Sequence, residues 1–197
     1  MKTLKFNNND QIEAIGLGTW KSEPGKVKTA VKHALKIGYR HIDCASVYGN
    51  EKEVGEALKE VFEEGSIKRS EVFVTSKLWN NAHRHEDVKP ALEQTLSDLQ
   101  LDHLDLYLMH WPVAFVSGLE GFPESDDDFL SLKEVPLKET WEAMVELLDQ
   151  NLVRHVGVSN FSQKKLKSLM DATDFVPEMN QIEGHPYLQS LHRRFHR

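Results

Sequence analysis

A chain of 197 residues with a single cysteine, Cys44, can form no internal disulfide, and a reducing cytoplasm is its expected setting. Long apolar runs are equally scarce. The longest, such as 106–109 and 72–74, fall far short of the roughly 18 residues a helix needs to cross a bilayer. The opening residues carry positive charge with no apolar stretch behind them, which does not read as a secretory signal. Basic side chains are also in deficit: 24 Lys and Arg face 31 Asp and Glu, a formal charge of −7 that argues against nucleic acid as a partner. What is present is an ordinary globular balance, 28% charged and 40% hydrophobic, in a length suited to one domain with a full core.

Strand-like and helix-like patterns alternate along this chain. A hairpin-like opening, 3–6 and 11–13 around the turn formers 7–10, is followed by the small apolar run 15–18. Pro24 then opens a helical pattern in Val27, Ala30, Val31, Ala34 and Leu35, which Gly38 ends. The cycle repeats as strand 40–43 with helix 50–64, strand 72–76 with helix 86–99, and strand 104–109 with helix 137–150. Strand 153–158 with helix 163–172 and a last strand 177–181 complete it. Six strands joined by crossover helices predict a parallel sheet covered by helices, either doubly wound or a closed barrel. The stretch from Pro112 to Pro136, with its acidic run 126–128, reads as a long loop without regular structure, either a solvated loop or a cover for a substrate.

Ligands of parallel α/β folds bind at the carboxyl ends of the strands. Those ends read Thr19-Trp20, Asp43, Lys77, His110, Ser159-Asn160 and Gln181, all polar or amphipathic. Tyr48 follows Asp43 by a short loop that can fold the phenol back over the strand ends. A phenol titrates near pH 10 and is a poor acid at neutral pH. An ammonium beside it lowers that pKa, and a carboxylate keeps the ammonium charged and oriented, so Asp43, Lys77 and Tyr48 form a candidate proton relay. His110 is placed to donate a hydrogen bond to a carbonyl oxygen held beside the phenol. Such a group suits proton delivery to an oxygen becoming an alkoxide. The sequence shows no cysteine pair, flavin signature or metal-ligand spacing, so a nicotinamide hydride donor is the natural supplement. Taken singly, each of these residues also has a structural reading: a buried Asp–Lys pair, a loop-capping tyrosine, a histidine satisfied by backbone.

The segment 38–51, Gly-Tyr-Arg-His-Ile-Asp-Cys-Ala-Ser-Val-Tyr-Gly-Asn-Glu, resembles the signature around the catalytic tyrosine of the aldo-keto reductases. Thr-Ser-Lys-Leu-Trp at 75–79, Asp-Leu-Tyr-Leu-Met-His-Trp-Pro at 105–112, Gly-Val-Ser-Asn-Phe at 157–161 and Asn-Gln-Ile-Glu at 180–183 extend the resemblance in the same order. It implies a (β/α)8 TIM barrel and reduction of aldehydes or ketones with NADPH, NADH also being admissible. By position, Tyr48 would be the proton donor, Lys77 and Asp43 would tune it, and His110 would orient the carbonyl. Ser159, Asn160 and Gln181 would hold the nicotinamide carboxamide, with Thr19, Trp20 and Asp43 on its ribose side. The substrate walls would be Trp20, Val47, Trp79, His110 and Trp111, with Phe115 as a further candidate. Independently, three tryptophans near strand ends suggest an apolar aromatic cleft.

The resemblance covers residues 1–190, about six βα units and an N-terminal hairpin. In the family two further βα units follow, which carry an aromatic residue that stacks on the nicotinamide and a basic cluster for the 2′-phosphate. Residues 191–197 form a basic tail without family resemblance. The expectation is an incomplete barrel, marginally stable as a monomer and weak for NADPH. The alternative function is a non-catalytic remnant acting through its open sheet edge. A doubly wound dinucleotide domain is set aside because Lys21 occupies the third glycine position after Gly16 and Gly18. No metal site is expected: His83 with His85, and His192 with His196, lack carboxylate or thiolate partners in ligand spacing and read as surface histidines. Cys44 reads as a packed thiol. The sequence assigns no particular carbonyl substrate and no oligomeric state.

Overall fold

The computed structural model describes residues 2–188. The antiparallel hairpin β1 (Thr3–Lys5) and β2 (Gln11–Glu13) stands apart from the main sheet. That sheet is wholly parallel and contains β3 (Leu17–Gly18), β4 (His41–Asp43), β5 (Phe73–Leu78), β6 (Leu104–Met109), β9 (Val153–Ser159) and β10 (Asn180–Gln181), in the order β10-β9-β6-β5-β4-β3. The central strands β5 and β6 are buried at every position, as expected of strands covered on both faces. Both edge strands are only two residues long.

The helices α1 (Val27–Lys36), α2 (Glu51–Glu63), α3 (His85–Leu99), α4 (Leu137–Asp149) and α5 (Gln163–Ala172) cover the outer face. The first four bury apolar stripes at helical spacing, such as Val27, Val31, Ala34 and Leu35 in α1 and Val54, Ala57, Leu58 and Val61 in α2, while α5 buries Leu169. Pro24 precedes the first helix by three residues rather than opening it, and Ser162 caps α5 by accepting from the Lys165 N–H at 3.3 Å. These stripes and the outward residues of the strands, including Val74, Leu78, Tyr107, Met109, Val156 and Val158, form the larger core. A smaller inner core, Phe6, Ile12, Phe73, Leu106 and Leu108, packs the hairpin into the concave face of the sheet. Gly157 permits close approach of the chain beside β9: a Cβ there would lie 2.8 Å from both the Met179 carbonyl oxygen and Leu108 Cδ2.

Two features depart from the sequence reading. The stretch 112–136 is not structureless: β7 (Ala114–Phe115) pairs antiparallel with β8 (Phe129–Leu130), and Val135 and Phe115 are buried. His83 is not a surface histidine but is buried behind the Thr140 hydroxyl, which donates to its carbonyl at 2.6 Å. Burial holds its pKa down at about 3. Residues 191–197, and with them His192 and His196, lie outside the described residues. Among the described residues no helix is long and apolar enough to cross a membrane.

The curvature of the sheet shows in one contact. Asp43 ends β4 and Gln181 ends β10, with β5, β6 and β9 between them. Strands in a flat sheet sit about 4.8 Å apart, which would put these ends roughly 19 Å from one another. Instead Gln181 Nε2 donates to Asp43 Oδ1 at 3.0 Å, so the sheet curls into an arc of a barrel whose mouth these two side chains span.

Candidate active site

The carboxyl ends of the strands deliver the polar residues to this mouth. Lys77, on β5, is almost completely buried, and its ammonium donates to Asp43 Oδ2 at 2.8 Å, the Cys44 carbonyl at 2.7 Å and the Tyr48 hydroxyl at 3.3 Å. Burial of an ammonium is tolerated only with partners of this kind. Tyr48 reaches it because the chain after β4 makes a single 3-10 turn, Ser46–Tyr48, ended by Gly49 in the left-handed region at φ 68°. Asn50 secures the far side of that turn by donating to the Thr19 carbonyl at 2.9 Å.

His110 follows β6 and meets the Tyr48 ring edge-on at 5.8 Å between centroids. Its Nδ1 is buried with no hydrogen-bond partner. Burial, assisted by the Lys77 charge, holds its pKa down at about 3, so near neutral pH it is an uncharged imidazole able to donate to a carbonyl without giving up its proton. At Tyr48 the net direction differs from the sequence reading. Burial raises the phenol pKa by more than the adjacent Lys77 charge lowers it, and Asp43 adds to the rise. Lys77 acts in the expected sense but against a larger opposing cost.

A cavity of about 460 Å³ opens over these groups, lined by Trp20, Val47, Trp79, Trp111 and Phe122 around Tyr48, Lys77 and His110, with Ser159, Asn160 and Gln181 on the β9–β10 side. All three tryptophans of the expected cleft therefore line it. Trp79 is clasped from the 112–136 segment: its indole N–H donates to the Gly121 carbonyl at 3.3 Å, and Phe115 and Phe122 meet its ring edge-on. Phe122, not singled out in the sequence, reaches the cavity, whereas Phe115 packs on Trp79 without lining it. Thr19 does not line it either. Its backbone N–H and its hydroxyl both donate to the Asp43 carbonyl, at 3.0 and 3.1 Å, so it braces the strand end instead. Asp43 likewise acts from behind, through Lys77 and Gln181.

Asn160 adopts the left-handed backbone, φ 62°, that asparagine tolerates better than most residues. Its amide thereby donates to the His110 carbonyl at 2.9 Å and to Ser159 Oγ at 3.1 Å. Another residue the sequence reading passed over is Glu51, buried at the start of α2, where it accepts from Ser76 and Thr95 hydroxyls at 2.6 and 3.1 Å. Burial lifts its pKa to about 7. Among the described residues no group of three or more His, Cys, Asp or Glu side chains is disposed to hold a metal.

This geometry and comparison with known proteins agree on a class. The model of the aldo/keto reductase family matches residues 14–196, so the chain belongs to that family. It is 52% identical over 189 residues to an aldo/keto reductase of Synechocystis, and 52% identical over 184 residues to the human aldo-keto reductase family 1 member A1. Those alignments cover 96% and 93% of this chain but 58% and 57% of the relatives, so the chain spans under three fifths of their length. The solved structure of the aldose reductase from Schistosoma japonicum superposes with a TM-score of 0.91 at 44% identity, over 97% of this chain and 64% of that one. The six-stranded arc is accordingly part of a (β/α)8 barrel.

Proposed function

We propose that the chain reduces aldehydes or ketones to alcohols, with Tyr48 as proton donor and NADPH as the nicotinamide cofactor, NADH being the second choice. The observation that carries this reading is the phenol of Tyr48 at the cavity floor, 3.3 Å from a buried ammonium and edge-on to an uncharged imidazole. The residues present fit the nicotinamide end of such a cofactor. Ser159, Asn160 and Gln181 line one wall with hydroxyl and amide groups, and the second N–H and the carbonyl oxygen of the Gln181 amide suit a carboxamide. When bound, the nicotinamide supplies a hydride to the carbonyl carbon.

The protein's own part is proton delivery and orientation. His110 donates to the substrate carbonyl oxygen and holds it beside the Tyr48 hydroxyl. As negative charge develops on that oxygen, Tyr48 passes its proton to it. Lys77, kept in place by Asp43 and the Cys44 carbonyl, stabilises the phenolate left behind. Burial moves the phenol pKa further above neutral, and Lys77 lowers the cost of releasing the proton at the moment of reaction. The indole and phenyl rings of Trp20, Trp79, Trp111 and Phe122 favour a substrate with an apolar body.

The test is oxidation of NADPH in the presence of a reactive aromatic aldehyde, comparing the chain with Tyr48→Phe. Turnover by the unmutated chain and its loss in the variant are expected. Equal, non-zero rates would overturn the role of Tyr48. A zero rate in both would favour the second reading, a non-catalytic chain acting through edge strands β3 and β10, which have no outer neighbour among the described residues.

A further inference from the structure

We propose that Gln181 is a positioning residue for proton delivery: its side-chain amide fixes the Asp43 carboxylate across the mouth, and links the wall that faces the nicotinamide carboxamide to the Asp43–Lys77–Tyr48 relay. This deepens the reductase reading and rests on it for its purpose, although the contact itself does not. Asp43 has two oxygens with two partners. Oδ2 takes Lys77 Nζ at 2.8 Å, and Oδ1 takes Gln181 Nε2 at 3.0 Å. An ionised carboxylate only accepts, so the amide nitrogen of Gln181 must be the atom facing it.

The second anchor matters because of what the first leaves free. A carboxylate held at one oxygen can still rotate about its Cβ–Cγ bond, and Lys77 would follow it. Lys77 makes its two shorter contacts to Asp43 and the Cys44 carbonyl, and its longest, 3.3 Å, to the Tyr48 hydroxyl. The effect of Lys77 on the phenol is therefore set by how firmly the other partners hold it. Gln181 supplies its hold from the opposite edge of the arc, 138 residues further along the chain. Its own backbone is fixed there, since its carbonyl accepts from the Ser159 hydroxyl and the Asn160 N–H, both at 2.9 Å.

The amide is not exhausted by this bond. One N–H goes to Asp43, while a second N–H and the carbonyl oxygen remain on a side chain that lines the cavity. A carboxamide bound there would engage those atoms and restrict the amide plane further, and with it the carboxylate. Recognition of the nicotinamide and acidity of Tyr48 are thus coupled through one side chain.

The experiment uses the full chain without nucleotide. With tyrosine labelled at Cζ, and the Tyr48 resonance assigned by its loss in Tyr48→Phe, the phenol is titrated in the unmutated chain, in Gln181→Leu and in the near-isosteric Gln181→Glu. The midpoint is expected to rise by about half a pH unit or more in Gln181→Leu, roughly threefold in acidity, and further in Gln181→Glu, which sets a second carboxylate against Asp43. The circular dichroism and the indole N–H resonance of Trp141, which donates to the Phe175 carbonyl at 2.8 Å, serve as controls for the fold. A midpoint unchanged in both variants overturns the proposal. A measurement on the unmutated chain stands even where a variant does not fold. The Gln181 side-chain amide resonances should shift with the same midpoint as the Asp43 carboxyl carbon in acid titration, and their indifference to it would overturn the proposal. None of these readouts uses turnover, so failure of the reductase assay and failure of the coupling are separate results.

Discussion

At the amino ends of the strands, carboxylates and cations are matched one against another. Asp105 takes Arg69 at 2.8 Å and Arg154 at 2.9 Å, and Asp10 takes Arg154 at 2.5 Å. His155 sets one ring nitrogen against Asp10 at 3.0 Å and the other against Glu178 at 2.9 Å, with Phe6 stacked on its face. At the carboxyl ends a single buried ammonium serves Asp43 and Tyr48, and an imidazole nitrogen is left without a partner. Unpartnered buried atoms occur on both sides, Arg69 Nε and Glu13 Oε2 among them, so what sets the amino ends apart is that their carboxylates are met by cations, a network that resists change. The amino ends of the arc thus hold the matched ion pairs, while the chemistry proposed for the chain falls at the carboxyl ends, the division general to barrels of this kind.

The division breaks if a change at one end acts at the other. The largest effect is expected from Lys77→Met, which removes the cation beside the phenol and should lower the rate of aldehyde reduction by about 10²–10⁴. Asp105→Asn should do the reverse. It leaves Arg69 and Arg154 facing a neutral amide and should cost about 3 kcal/mol in urea unfolding, the low end for a buried pair because the Arg154 side chain is 44% exposed. Turnover per folded molecule should be unchanged.

The two ends should also respond to pH with opposite sign. Burial holds His110 at about 3, so the unfolded chain binds a proton there that the folded chain does not. The stability advantage of the unmutated chain over His110→Gln should therefore shrink as pH falls from about 6.5 towards 3. At His155 burial lowers the pKa, but hydrogen bonds and charge from Glu178 and Asp10 outweigh it and leave it raised. Its contribution is present below the ordinary histidine value and is lost as pH rises through the raised one, so the advantage over His155→Gln should shrink on the alkaline side. Paired urea titrations across pH check both signs. The smallest effect is expected from Phe122→Ala, about 1 kcal/mol or less for an exposed edge-on contact with Trp79, with KM for an aromatic aldehyde raised and kcat unaltered.

Much of this organisation was legible in the sequence, because it rests on local periodicity. Helix α5 starts and stops where the pattern 163–172 does, and β6 spans 104–109 as expected. Strand-end positions then brought Tyr48, Lys77, His110, Ser159, Asn160 and Gln181 to one cavity. What was hidden depends on distant neighbours. The β7–β8 ribbon is built from two-residue strands that leave no alternation to detect. His83 carries no mark of its burial in the sequence around it, and the hydroxyl that meets its carbonyl belongs to Thr140, 57 residues away. The upward direction at Tyr48 follows from desolvation, which only the packed cavity determines.

The hydrogen bond from Gln181 to Asp43 also has a meaning in time. Closing a loop of 138 residues costs roughly 4 kcal/mol of chain entropy, while α1, α2 and α3 pack against their sequence neighbours at little such cost. The anchor of Gln181 on Asp43 is therefore among the last contacts to form, after the local Asp43–Lys77–Tyr48 contacts. A nascent chain emerging from the ribosome would hold Tyr48 and Lys77 in a folded layer while Asp43 still lacked its cross-mouth anchor, and the group proposed for proton delivery would be complete only when β10 docked.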